Sequence, residues 1–189
     1  MSFSKEWEKM YQANGHISVW PWTDLVGLVM NFTNDLNSKS RVLEIGCGAG
    51  ANVIFFESLG VKYYGIEGSQ TIVDILKQRF KDSGNKFHCC DFTETLHFDR
   101  PFDLIIDRGG LPHNSDKNIR KALNLCFNAL KIGGKIISTD MCSSQHYGYK
   151  SGDSVEDKYT RTDISEGSLA GTGYVHFSDE QNIRDLYND

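Results

Sequence analysis

The chain has 189 residues, 20 Lys and Arg against 25 Asp and Glu, a formal net charge of −5, and 39% hydrophobic and 24% charged residues. That length fits one domain with a proper core, and the composition is that of an ordinary globular chain. The acidic balance argues against nucleic acid as a partner, and no apolar run approaches the roughly 20 residues of a membrane span.

No apolar stretch follows the charged segment Ser4 to Met10, so no secretory leader is expected. The five cysteines, Cys47, Cys89, Cys90, Cys126 and Cys142, are odd in number and form no C-x-x-C pair. Neither a disulfide framework nor a metal site is expected, and a reduced, cytoplasmic protein is.

In chain order, residues 4 to 13 predict a short helix with Trp7, Met10 and Tyr11 on one side. After a turn-rich stretch and the apolar segment Val19 to Trp22, Thr23 is placed to cap a second helix. Leu25, Leu28, Val29, Phe32 and Leu36 recur in it at helical spacing, and the polar cluster Asn34 to Ser40 ends it. Arg41 to Ile45 reads as a buried parallel strand, and a glycine-rich turn, Gly46 to Gly50, leads into a helix carrying Val53, Ile54, Phe56 and Leu59. A second strand, Lys62 to Ile66, is followed by a helix capped by Ser69, with Ile72, Ile75, Leu76 and Phe80 on one face. Lys86 to Cys90 and Phe102 to Ile106 read as the third and fourth strands. Ser115 is placed to cap a helix with Ile119, Ala122, Leu123, Cys126, Ala129 and Leu130 inward, closed by Gly133-Gly134. Lys135 to Ser138 is the fifth strand. Strands alternating with helices predict an α/β fold on a parallel sheet.

Residues 141 to 175 break the pattern: they are polar, carry several glycines, and hold Tyr147, Tyr149, Tyr159 and Tyr174. So long a loop within a compact domain points to a functional cover. Ser178-Asp179-Glu180-Gln181 then reads as a capping box, opening a last helix with Ile183 and Leu186.

Four segments carry chemistry. Glu44 stands two residues before a G-x-G-x-G turn, Gly46-Cys47-Gly48-Ala49-Gly50, where glycines let the backbone bend sharply and approach a ligand. Gly46-x-Gly48-x-x-Ala51 also satisfies the dinucleotide fingerprint, so the turn alone leaves two cofactors open. Glu67 ends the second strand before Gly68, where a carboxylate accepts both hydroxyls of a ribose. Asp91 ends the third strand with Phe92 beside it, and Asp107 ends the fourth.

In this order and spacing, with Leu130-Lys131-Ile132-Gly133-Gly134-Lys135 after them, the segments resemble the motifs of the class I S-adenosylmethionine-dependent methyltransferases, over roughly residues 41 to 140. Ile132 replaces the proline usual in the last of them. The resemblance implies a Rossmann-like, doubly wound, mostly parallel sheet with helices on both faces. It implies S-adenosyl-L-methionine as cofactor and S-adenosyl-L-homocysteine as product. The turn would hold the methionine end, with Glu44 near its amino group. Glu67 and Gly68 would meet the ribose, Asp91 the adenine amine and Phe92 its ring, and Asp107 would face the methyl group.

No [DN]-P-P-[YF] and no Pro-Cys pair is present, which points away from nucleobase chemistry, while Asp107-Arg108-Gly109 is similar to the D-R-G of small-thiol methyltransferases. A small-molecule O, N or S acceptor is therefore expected, with neither nucleic acid nor membrane as partner. His113, just past the fourth strand, is the candidate general base. His146 and His176 are expected at the surface, with a reach into the site from the long loop as the alternative; Trp20 and Trp22 are expected as core anchors, with a ligand contact as the alternative. An NAD-dependent oxidoreductase and a non-catalytic cofactor-binding domain are the alternatives.

The resulting layout is an N-terminal helical cap (1–40), a cofactor-binding core (41–140), a substrate loop (141–177) and a last helix (178–189). The family's C-terminal strand pair finds no counterpart before Asp189, so a truncated form with an exposed fifth strand is expected.

Overall fold

In the segment Arg41–Ile45 every residue after the first is buried, Glu44 included. A strand covered on both faces needs helices above and below it, and the fold supplies them. The structure, a computed structural model, describes residues 5–33, 35–99 and 101–188. The expected helix start at Ser4, the expected helix stop at Asn34 and the final Asp189 lie outside the described residues.

Five strands, β1 (Arg41–Ile45), β2 (Lys62–Glu67), β3 (Lys86–Cys89), β4 (Phe102–Arg108) and β5 (Leu130–Thr139), form one sheet in the order β3-β2-β1-β4-β5. Every neighbouring pair is parallel. On one face Val42, Tyr63, Leu104 and Ile106 meet α2 (Thr23–Phe32), α3 (Val53–Ser58) and α4 (Gln70–Arg79) through Leu25, Val29, Val53, Phe56, Ile72 and Leu76. On the other, Leu43, Ile45, Ile66 and Ile105 meet α5 (Asp116–Ala129) and α7 (Glu180–Tyr187) through Ile119, Leu123, Cys126 and Leu186. The chain lays β1, β2 and β3 outward in one direction, then returns to place β4 on the other side of β1. That reversal opens a crevice at the carboxyl ends of β1 and β4, where ligands of doubly wound sheets sit. The short α1 (Lys5–Gln12) packs against α4. No described helix is long and apolar enough to cross a membrane.

Three local expectations are revised. Helix α5 stops at Ala129, four residues before Gly133, because Leu130 turns extended (ψ 148) and pairs with Phe102 of β4. The segment Leu130 to Gly134 is thus the irregular start of β5, with Gly133 in the left-handed region (φ 79). Helix α7 is capped by Asp179, whose carboxylate accepts from the Asn182 N–H at 2.8 Å, because Ser178 is already committed to a strand. The expected cover, 141–177, is no loop. It builds a small sheet of β6 (Cys142–Ser143), β9 (Val175–Ser178), β8 (Thr160–Thr162) and β7 (Asp153–Ser154), in that order, with α6 (Tyr147–Ser151) beside it. Ile164, Val175 and Phe177 give this insert an apolar centre of its own.

Candidate active site

The turn after β1 carries Gly46, Gly48 and Gly50 at φ 64, 50 and 78, a region costly to any residue with a Cβ. At Gly46 a Cβ would also lie 3.1 Å from the Gly110 Cα, so the β1 and β4 turns approach backbone to backbone. At Gly50 it would lie 2.5 Å from Leu76 Cδ2. Gly46 and Gly48 therefore open the crevice floor, whereas Gly50 lets the turn seat on α4. Cys47 points back into the sheet, against Gly65, and burial pushes its thiol well above the usual range.

Carboxylates ring this turn. Glu44 is buried; it accepts from Tyr63 Oη–H at 2.6 Å and Asn52 Nδ2–H at 2.8 Å, and burial raises its pKa to about 7. Glu67 accepts from the Gly48 N–H at 2.9 Å and the Ser69 N–H at 3.1 Å, and burial raises its pKa despite them. Asp91 accepts from the Thr93 N–H and hydroxyl at 2.9 and 2.7 Å, which turns the chain after β3. Asp107 receives the Gly110 and Leu111 N–H groups on Oδ1, each at 2.9 Å, and burial raises its pKa to about 7.

These elements open onto one cavity of about 640 Å³. Its walls come from three parts of the chain: the strand-end turns, the N-terminal segment (Trp7, Tyr11, His16, Trp22), and the insert (Cys142, Ser143, His146, Leu169). Among the described residues lining it are four carboxylates, Glu44, Glu67, Asp91 and Asp140, and a single Arg or Lys, Arg108. Arg108 lies with its guanidinium carbon 3.6 Å from the Trp22 ring centre and pairs with Asp140 at 3.1 Å.

His113 closes a 3₁₀ turn (Leu111–His113) and packs edge-on against Trp7, ring centres 4.8 Å apart. Its Nδ1 lies 3.1 Å from the Tyr174 carbonyl oxygen. A carbonyl has no proton to give, so Nδ1 carries the hydrogen and Nε2 keeps its lone pair. Burial lowers the His113 pKa to about 4, so the ring is neutral at pH 7.

Of the residues singled out in the sequence, Glu44, Gly46, Cys47, Gly48, Glu67, Gly68, Asp91, Phe92 and His113 line this one cavity, while Gly50 and Asp107 stand behind its wall. Trp22 lines it too, and Trp20 is 75% exposed, so neither is a core anchor. His146 is a cavity residue, and His176 is fully buried between Thr160 and Asn182; neither is a free surface histidine. None of the insert's tyrosines lines the cavity: the Tyr147 hydroxyl goes to Glu166, Tyr149 to Lys158 and Tyr174 to Glu156. Sequence reasoning passed over Arg108 as a charge in the site, and Trp7 and His16. For Arg108 a signal existed, since it follows the last acidic residue of a strand that ends at the crevice.

Residues 42–134, just under half of the chain, match the family described as a methyltransferase domain. Phosphoethanolamine N-methyltransferase of Plasmodium falciparum is 32% identical over 115 residues, 59% of this chain and 42% of that protein. The ubiquinone biosynthesis O-methyltransferase of Idiomarina loihiensis is also 32% identical over 115 residues, 59% of this chain and 46% of the relative. The chain thus spans less than half the length of these relatives. Among solved structures, Haemonchus contortus phosphoethanolamine N-methyltransferase 2, in complex with phosphomonomethylethanolamine and S-adenosylhomocysteine, aligns with TM-score 0.66 at 20% identity, over 97% of this chain and 40% of that one. That likeness is one of fold.

Proposed function

We propose that the chain is an S-adenosylmethionine-dependent methyltransferase acting on a nucleophilic O, N or S of a small molecule. The observation that carries this reading is the convergence of Glu44, Gly46, Gly48, Glu67, Asp91 and Phe92 on one cavity of about 640 Å³, ample for a nucleoside with an amino-acid tail. Two details favour this cofactor over a dinucleotide. The Gly48 N–H, which would serve a pyrophosphate, already donates to Glu67 at 2.9 Å. Four carboxylates around the cavity would repel a pyrophosphate but suit an ammonium and a sulfonium.

In this reading the glycine turn takes the methionine end, Glu67 the ribose hydroxyls, Asp91 the adenine amine and Phe92 its ring. Gly50 and Asp107 act indirectly, by seating the two turns that form the floor. When bound, the cofactor supplies a methyl group already activated on sulfur, and the chain mainly provides alignment for in-line displacement. Trp7, Tyr11 and Trp22 exclude water from the cavity. His113 offers the Nε2 lone pair to a protonated nucleophile; with its pKa near 4 it orients that group as a hydrogen-bond acceptor and is a weak proton sink. The insert supplies the acceptor side through Ser143, His146, Ser168 and Thr172. Five free cysteines fit a reduced, cytoplasmic setting.

Calorimetric titration with S-adenosylhomocysteine, with NAD in parallel, tests the reading. Binding of S-adenosylhomocysteine alone is the expected result. Binding of NAD alone, or of neither, would overturn it.

A further inference from the structure

The charge census of the cavity leaves one group unexplained. Carboxylates account for an ammonium and a sulfonium, but the lone guanidinium among them, Arg108, calls for an anion. Its placement is built from several sides. β4 pairs with β1 so that Asp107 lies opposite Ile45, which puts Arg108 beside the Gly46 turn. Trp22 covers the guanidinium face, and the Trp22 main-chain N–H donates to Asn52 Oδ1 at 3.2 Å. Asn52 in turn donates to Glu44 at 2.8 Å, so Arg108, Trp22, Asn52 and Glu44 form one chain of contacts at the methionine end.

The guanidinium is only partly used. One NH1 contact reaches Asp140 at 3.1 Å, and Nε is buried with no hydrogen-bond partner among the described residues. An arginine presents a planar fork of five N–H donors that matches a carboxylate, and stacking on an indole fixes that plane in advance. Asp140 is itself held at φ 63, a conformation that non-glycine residues adopt at a cost and that clusters at functional sites. Its side chain is 55% exposed, so its pair with Arg108 is weak enough to share the cation with a ligand.

We propose that Arg108 is the receptor for the α-carboxylate of the cofactor's methionine end, and that the acidic groups beside it, Glu44 and Asp140, answer the α-ammonium. The proposal rests on the cofactor reading above and goes beyond it by assigning the single Arg or Lys among the described residues that line the cavity. It leaves the acceptor side with no Lys or Arg among its described lining residues.

The test compares two thioethers that differ only in the carboxylate: S-adenosylhomocysteine and its decarboxylated amine. The wild-type protein should bind the first more tightly by on the order of tenfold or more, the worth of one charge-assisted contact. Arg108→Met should bring that ratio close to one while the decarboxylated compound keeps its affinity. Because the ratio is taken within one protein, partial unfolding of the variant does not mimic the effect. Arg108→Lys, which keeps the charge and loses the fork, should fall between and serves if the Met variant does not fold. A wild-type ratio near one would overturn the proposal and hand the guanidinium to a carboxylate on the methyl acceptor. An undiminished ratio in Arg108→Met would overturn it as well. Failure of the wild type to bind either thioether would instead overturn the cofactor reading, and this assignment with it.

Discussion

Glu44 is 2% exposed at the end of β1, accepts two hydrogen bonds, and has its pKa raised to about 7 by burial. Near pH 7 part of it therefore holds a proton in the free protein. A ligand ammonium beside it would favour the carboxylate and expel that fraction. Binding of S-adenosylhomocysteine at pH 7 should release a fraction of a proton, read as a binding enthalpy that varies with the ionisation enthalpy of the buffer. Glu44→Gln should remove that dependence. The glycines of the turn separate by role. Gly50→Ala combines φ 78 with a contact at 2.5 Å to Leu76 and should destabilise by about 3 kcal/mol. Gly60→Ala, at φ 70 with nothing within 4 Å, should cost only about 1 kcal/mol. Thermal unfolding of the two variants checks the difference. At this scale the sequence is most informative where chemistry needs a particular residue type: an acid before a glycine turn, acids at strand ends. It is silent on direction. Nothing in the spacing separates Gly50 and Asp107, which face the interior, from Gly46 and Asp91, which face the cavity.

Elements differ in how far they could be read. The strands and helices of the main sheet follow from apolar runs and caps; Ser69, for one, does accept from the Ile72 N–H at 3.1 Å. The insert could not be read because its strands are two to four residues long, too short to show alternation. Its order comes from polar joints that are buried or partly buried instead. The Asp157 carboxylate accepts from the Asp116, Tyr159 and Thr160 N–H groups and from the Thr160 hydroxyl, at 2.8 to 3.0 Å, which ties the insert to the first turn of α5. Asn182 links His176 on β9 to Asp116 at 2.9 Å on either side, which ties α7 to the same turn. Asp157→Ala should cost about 2 to 3 kcal/mol locally. Hydrogen exchange should rise across 153–178 and stay unchanged in β1 and β4; uniform loosening of both regions would show that the insert is not a separable unit.

For the molecule as a whole, the buried titratable groups oppose one another with pH. Glu44 and Asp107, raised to about 7 from 4.5 and 3.8, hold protons in the folded state. Their contribution is fully present at low pH and is lost as pH rises through about 7. His113, lowered to about 4 from 6.5, acts in the other sense, and its contribution is lost as pH falls through that window. Two carboxylates outweigh one imidazole. The unliganded protein should unfold at a higher temperature at pH 5 than at pH 7.5, by at least about 2 °C, the shift that about 1 kcal/mol gives at this size. The ligand should narrow the gap, because it favours the ionised form of Glu44. The fold class follows from the alternation of elements, and the cavity does not, since two of its three walls come from segments remote from the glycine turn.

The chain has three tryptophans, and their placement gives the protein a built-in optical reporter. Trp7 and Trp22 line the cavity, Trp22 in contact with the Arg108 guanidinium, whereas Trp20 is largely exposed. Two emitters thus sense the pocket against a solvent-exposed background, and Trp20→Phe would remove most of that background. Intrinsic fluorescence of the unlabelled Trp20→Phe protein would follow ligand entry directly. A library of candidate methyl acceptors could then be screened by eye of the spectrometer before any turnover assay exists.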